Sequence, residues 1–282
     1  MKAFLGMGLL GSNFTKALLR KNEKVQIWNR TYSKARDLEA DGAKAFKEVK
    51  DAVRGADIIH VTLKDDESVN QVLEDAKAGL KPGAIIIDHT TTSVAGAIER
   101  TNSFKALGFT YQHAPVFMGP NNALEGSGYM LISGDQSVVG KLEKQLSAMT
   151  GKLINFGPET GRAAELKLIG NCFLVGFTAA LGDALALAKS LETPIADVDK
   201  LFLTWNPGHS LTARINRISQ DDFSKAGWEL DMARKDVGLF MQAAKKAGIR
   251  LEVIPPIALL MDAWIGRGYG ENDWTVIASR NP

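Results

Sequence analysis

The sequence predicts an α/β chain in two parts: a doubly wound sheet first, then an all-helical part, joined by one long helix. Three observations carry this. A short apolar strand at the N-terminus runs into Gly6-x-Gly8-x-x-Gly11 and then directly into a helical pattern. Strand and helix signals alternate from there through Phe156. From Gly161 onward the apolar residues recur by threes and fours. The 282 residues have room for about two domains, and the change of pattern places the boundary near Pro158, giving 1–158 and 159–282.

The elements follow in order. After the glycine turn, Leu10, Phe14, Ala17 and Leu18 define one buried helix face. Lys24-Val-Gln-Ile-Trp28 alternates as a second strand, followed by a helix over 33–40, an extended piece at 43–46 and a helix over 47–54. Asp57–Leu63 is a mostly apolar strand, with a helix over 67–76 behind it. Lys81-Pro-Gly83 is a turn that leads into the strand Ala84–Asp88. A helix over 93–107, a strand over 109–113, a loop from Ala114 to Ser127, a strand over 128–133, a helix over 136–149 and a strand over 152–156 complete this part.

Leu166, Ile169, Phe173, Phe177, Ala180, Ala184 and Leu187 then predict one interdomain helix of about 28 residues, roughly 40 Å long. Its uncharged run, Leu168–Gly182, contains Asn171, Thr178 and three glycines. That run is too short and too polar for a membrane span and predicts a buried helix. The remaining chain is helical, punctuated by Asn206-Pro-Gly208 and Pro255-Pro256.

Bulk properties bound the function. With 34 basic and 32 acidic residues the net charge is +2, which gives no global field for nucleic acid or a membrane surface. A single cysteine, Cys172, leaves no internal disulfide framework and fits a reducing, cytoplasmic compartment. An N-terminal core strand leaves no room for a signal peptide. The four histidines have no metal-ligand spacing, and no carboxylate cluster completes a metal site.

The glycine spacing, placed between a strand and a helix, is that of a dinucleotide-binding turn of Rossmann type. In such a turn Gly6 permits the tight bend, Gly8 lets a pyrophosphate approach the backbone, and Gly11 lets the helix pack on the strand. Leu9 and Leu10 contribute free N–H groups at the helix start. The second strand ends at Asn29-Arg30-Thr31, where an NAD site would carry a carboxylate for the ribose. Arg30, with Asn29, Thr31 and Lys34 around it, instead suits a 2′-phosphate and predicts NADP(H). Thr62, Leu63 and Lys64, at the carboxyl end of a strand, are expected to face the cofactor.

Lys167 and Asn171 are four apart on one helix face, within an otherwise apolar run. A buried lysine would have a depressed pKa and could donate a proton near neutral pH. Spacing alone serves equally well a lysine at the helix edge whose ammonium snorkels to water.

Taken together, these motifs resemble the β-hydroxyacid dehydrogenase family, which includes 3-hydroxyisobutyrate dehydrogenase and the glyoxylate/succinic semialdehyde reductases, in the 6-phosphogluconate dehydrogenase superfamily. The resemblance rests on four motifs in family order: Phe4–Gly11 with Trp28–Thr31, Asp88-His-Thr-Thr91, Gly161–Asn171 containing Lys167, and Lys235-Asp236-Val-Gly-Leu239. It implies an NADP(H)-dependent oxidoreductase that moves a hydride between nicotinamide and a small β-hydroxyacid, aldehyde acid or related carbonyl. Lys167 would be the general acid and base, assisted by Asn171. Thr91 and Lys235 would lie at the cofactor, and Thr90, Trp228 and Asp236 at the substrate. A homodimer or homotetramer is implied as well. The family usually has Ser-Gly-Gly where this chain has Phe117, Met118 and Gly119, which removes a carboxylate-binding hydroxyl and adds apolar bulk. Two rivals are an imine reductase, which typically carries Asp, Tyr or Asn at the lysine position, and a cofactor-binding module without turnover.

Overall fold

A computed structural model describes residues 1–279. The chain forms two compact units, with the division falling between Asn171 and Cys172. The pattern change expected near Pro158 falls between the last strand, which ends at Asn155, and a helix that starts at Arg162. The first unit runs on to Asn171 because the first turns of that helix are part of it, with Ala163, Ala164 and Lys167 buried.

In the first unit, six parallel strands lie in the order β3 (Lys44–Phe46), β2 (Val25–Trp28), β1 (Lys2–Leu5), β4 (Ile58–Val61), β5 (Ile85–Asp88), β6 (Thr110–His113). The order reverses at β1/β4, the position where open α/β sheets take ligands. Leu5 lies opposite both Trp28 and Val61, and Val61 lies opposite Asp88. The residues that follow, Gly6, Asn29, Thr62 and His89, therefore share one sheet edge.

Both faces of the sheet are buried. On one, Phe4, Ile27 and Ile87 pack with Phe14 and Leu18 of α1 (Leu9–Arg20). On the other, Leu5, Ile59 and Ile86 pack with α3 (Val49–Ala52) and α4 (Asp66–Ala76). Strands covered on both faces read as unbroken apolar runs, which is why Ile85–Ile87 is so legible. Asp65 and Ser93 cap α4 and α5 (Val94–Ala106) by accepting N–H bonds from Ser68 and Gly96. The helix expected over 33–40 is instead α2 (Tyr32–Arg36), which tightens into a 3₁₀ turn over Asp37–Asp41 and ends at left-handed Gly42.

The segment read as a loop, Ala114–Ser127, is not all loop. It holds β7 (Val116–Phe117) and α6 (Pro120–Glu125). β7 pairs antiparallel with β8 (Tyr129–Ile132), which pairs parallel with β9 (Lys152–Asn155); α7 (Gln136–Ser147) joins those two. A two-residue strand and a six-residue helix are too short to set up a hydrophobic period.

α8 (Arg162–Ser190) is the expected long helix, with 29 residues. The second unit adds α9 (Ile195–Thr204), α10 (Leu211–Gln220), α11 (Leu230–Lys246) and α12 (Ile254–Gly266). Its core joins Leu230, Ala233 and Val237 of α11 to Ala258, Met261 and Trp264 of α12. Among the described residues no strand follows β9. Asp183, buried on α8, accepts backbone N–H bonds from Glu252, Val253 and Ile254, each at 2.8 Å, and so closes the start of α12.

The expectation that Leu168–Gly182 is buried is not met within the single chain. Ile169, Phe173 and Val175 are 63%, 55% and 70% exposed. The helix is apolar around most of its circumference, and one chain covers only part of it. By length and composition α8 could cross a membrane, contrary to the estimate from its uncharged run, and a helix covered by protein meets the same criterion.

Candidate active site

The glycine turn is crowded and internally bonded. Gly6 has φ +98°, and a Cβ there would stand 2.1 Å from the Thr62 carbonyl oxygen. A Cβ at Gly11 would stand 1.8 Å from the Gly6 carbonyl oxygen. At Gly8 a Cβ would meet nothing within 4 Å, and no side chain caps the start of α1. Open space over Gly8 beside an uncapped helix N-terminus fits a dinucleotide pyrophosphate.

The neighbours of the turn are committed to holding it. Thr62 donates its hydroxyl to the Gly6 carbonyl at 3.0 Å. Asn29 accepts from the Met7 N–H at 2.9 Å and donates to the Thr31 carbonyl at 2.9 Å. Asn29 at the expected ribose-reading position therefore also clamps the turn, a role that spacing alone does not disclose. Arg30, Thr31 and Lys34 lie exposed beyond the end of β2, as do Leu9 at the start of α1 and Lys64 beyond β4. Leu10 and Leu63 are half-buried, and Leu63 donates its N–H to the Thr90 hydroxyl at 2.9 Å.

Thr90 is buried and anchored from several sides. Its N–H goes to Asp88 Oδ1 at 2.8 Å, and its carbonyl lies 2.9 Å from His113 Nε2. The Tyr111 hydroxyl donates to Asp88 Oδ2 at 2.6 Å and accepts from Arg100 Nε at 2.9 Å. Burial, with the Asp88 charge beside it, holds the Tyr111 hydroxyl well above its usual pKa. The loop reaches solvent at Thr91. Tyr111 was not singled out by sequence, because its bond to Asp88 spans neighbouring strands.

Beneath this edge runs a chain of neutral rings. The Ala114 carbonyl, 2.8 Å from His89 Nδ1, can only accept, so Nδ1 carries the proton. His89 Nε2 is then an acceptor for His60 Nδ1–H at 3.0 Å, and His60 Nε2 accepts from Gln145 at 3.2 Å. Burial lowers the pKa of His89 to about 4, and lowers His60 and His113 too.

Lys167 is only 7% exposed, so the snorkelling geometry does not occur. Its ammonium donates to Asn171 Oδ1 at 3.0 Å and lies 4.0 Å from the centroid of the Phe117 ring. Burial lowers its pKa to about 8. No carboxylate pairs with it among the described residues. Met118 and Gly119 follow Phe117, both half-buried.

The remaining candidates belong to the second unit. Lys235 Nζ pairs with Asp236 Oδ1 at 3.0 Å on α11, and Trp228 is exposed with its ring 5.6 Å from that of Trp274. No cluster of three or more metal-ligating side chains occurs among the described residues.

The strand order, the crowded glycine turn and the ligand edge define the first unit as a doubly wound dinucleotide-binding domain. Residues 2–157 match the NAD binding domain of 6-phosphogluconate dehydrogenase, and the chain belongs to that family. Over its whole length it is similar to β-hydroxyacid dehydrogenase relatives, which makes it an NAD(P)-dependent oxidoreductase. An uncharacterized oxidoreductase of Shewanella frigidimarina is 29% identical, covering 92% of this chain and 89% of the relative. The 3-sulfolactaldehyde reductase of Escherichia coli is 26% identical, covering 98% and 93%. In fold the chain is similar to an imine reductase from Myxococcus stipitatus in complex with NADP+, with a TM-score of 0.87, 21% identity and coverage of 99% and 98%.

Proposed function

We propose that the protein is an NADP(H)-dependent reductase, or the reverse dehydrogenase, of small carbonyl compounds and their hydroxy counterparts. The observation that carries this reading is Lys167: buried, without a carboxylate partner among the described residues, bonded to Asn171 and held near pKa 8. The cofactor, when bound, supplies the hydride. Lys167 gives its proton to the carbonyl oxygen, and Asn171 fixes the direction of the ammonium. The turn Gly6–Gly11 and the N-terminus of α1 receive the pyrophosphate, and Arg30 takes the 2′-phosphate. The family resemblance and the name of the E. coli relative support a small aldehyde as the substrate class, and the residues beside Lys167 decide whether that aldehyde carries a charge. A second copy of the chain covers the exposed apolar side of α8, since so much bare apolar surface marks an interaction site.

Incubation with NADPH and a panel of aldehyde acids, neutral aldehydes and cyclic imines tests this, with the mass in solution read alongside. Turnover of carbonyl compounds by a multiple of the 30.5 kDa chain is expected. Turnover of imines alone would favour the imine reductase reading, and tight NADPH binding without any turnover would favour a binding module.

Arg30→Ala should weaken NADPH binding by about 1.5–3 kcal/mol, the range for hydrogen bonds to charged groups, and leave NADH nearly unchanged. Equal dissociation constants for the two cofactors in the unmutated protein would refute the assignment of Arg30.

A further inference from the structure

Gly170 stands in the interior of α8, where glycine makes a helix less stable than alanine does. Its neighbour explains it. A Cβ at 170 would lie 2.4 Å from Phe117 Cζ and 3.0 Å from Cε1. The Phe117 ring is therefore seated directly on the helix backbone, one turn from Lys167, whose ammonium it covers at 4.0 Å. A lysine ammonium has three N–H donors. One goes to Asn171 at 3.0 Å, and the ring occupies another side. Little of the ammonium is left for a ligand, enough for one carbonyl oxygen.

A second observation points the same way. The Gly119 backbone N–H, a donor that could hold a substrate carboxylate in this loop, is spent inside the protein on Asn122 Oδ1 at 2.8 Å. Asn122 is held in turn by donating to the Ser127 hydroxyl at 2.9 Å. Position 117 has no hydroxyl, and Met118 adds apolar surface next to it. A carboxylate brought here would lose its water without gaining these donors.

We propose that Phe117, seated by Gly170, is a specificity-determining residue that restricts this site to uncharged carbonyl substrates, with the ring taking the place beside Lys167 that a substrate anion would need. This rests on the reading of Lys167 as the proton donor to a carbonyl, and narrows it. Gly170 is a positioning residue: it touches the ring and acts through it.

The test uses matched pairs that differ in one charge. Succinic semialdehyde and its methyl ester are compared as substrates with NADPH. Butanoate and methyl butanoate are compared as ligands by ligand-observed NMR, with and without NADP+. The full chain should prefer the neutral member of each pair by about tenfold or more. Gly170→Ala, which displaces the ring, should narrow both preferences about tenfold, and Phe117→Ser should do the same by another route, so that one misfolded variant does not decide the matter. A preference of the unmutated protein for either acid would overturn the proposal. So would unchanged ratios in both variants once circular dichroism shows them folded. If neither aldehyde is reduced, the carbonyl-reductase reading fails, and the ligand pair still decides the specificity of the pocket.

Discussion

Replacing Lys167 with alanine is expected to lower kcat for carbonyl reduction by about 10²–10⁴-fold, the usual contribution of a positioned general acid. NADPH affinity should hardly change, because the lysine lies beside Phe117 and Asn171 and is not part of the glycine turn. Lys167→Arg should fail to a similar degree. A guanidinium can still sit over the Phe117 ring, but it does not release a proton near neutral pH. The pH profile carries the same information with a definite sign. Burial lowers the lysine to about 8, so the acid form needed for reduction predominates below that value. Reduction should be level on the acid side and decline as pH rises through about 8; oxidation, which needs the neutral amine, should rise over the same interval. Single-turnover oxidation of prebound NADPH is the informative measurement. A Lys167→Ala rate within about threefold of the unmutated protein would remove the lysine as the acid.

Asp183→Ala is expected to destabilise the chain by about 3–5 kcal/mol. It removes a buried carboxylate that accepts three part-buried backbone hydrogen bonds at the start of α12, each worth about 1.5 kcal/mol as a bond to a charged group. Val253, the residue at the N-cap position of α12, has no side-chain acceptor, so the cap comes from α8, far away in sequence. Burial by itself would raise the pKa of Asp183; the three N–H groups outweigh it and leave the carboxyl below its ordinary 3.8. Its stabilising contribution is therefore complete above pH 3.8 and is lost as pH falls further. Asp183→Asn, which keeps one acceptor oxygen, should cost less than alanine. The midpoint of urea unfolding gives the answer, and a shift equivalent to less than about 0.5 kcal/mol for alanine would show that water replaces the carboxylate.

What the sequence disclosed and what it concealed divide along physical lines. Period and punctuation are local, so the six strands of the parallel sheet, the glycine turn and α8 could be placed to within a few residues. Lys167 and Asn171 were paired because a helix brings residues four apart onto one side. The Asp183 cap was not legible, since an aspartate in an apolar helix says nothing about which distant N–H groups it meets. That Asn29 also bonds the Met7 N–H and the Thr31 carbonyl could not be read from its spacing, since those contacts depend on how the turn folds back over β2. Phe117 drew notice as a departure from its family, whereas its seat against Gly170 emerged only in three dimensions. The exposed side of α8 is not legible in the sequence, because hydrophobicity reports that a surface is to be covered, and not which molecule covers it.

The crowding at Gly6 and Gly11 has a thermodynamic consequence for ligand capture. Fixing the backbone of one residue costs about 1–2 kcal/mol of conformational entropy. In this chain the bend is wedged against the Thr62 carbonyl and clamped by Asn29, so that its conformation is set by contacts the fold itself supplies. A nucleotide arriving at the turn meets a rigid receptor and surrenders mainly its own freedom.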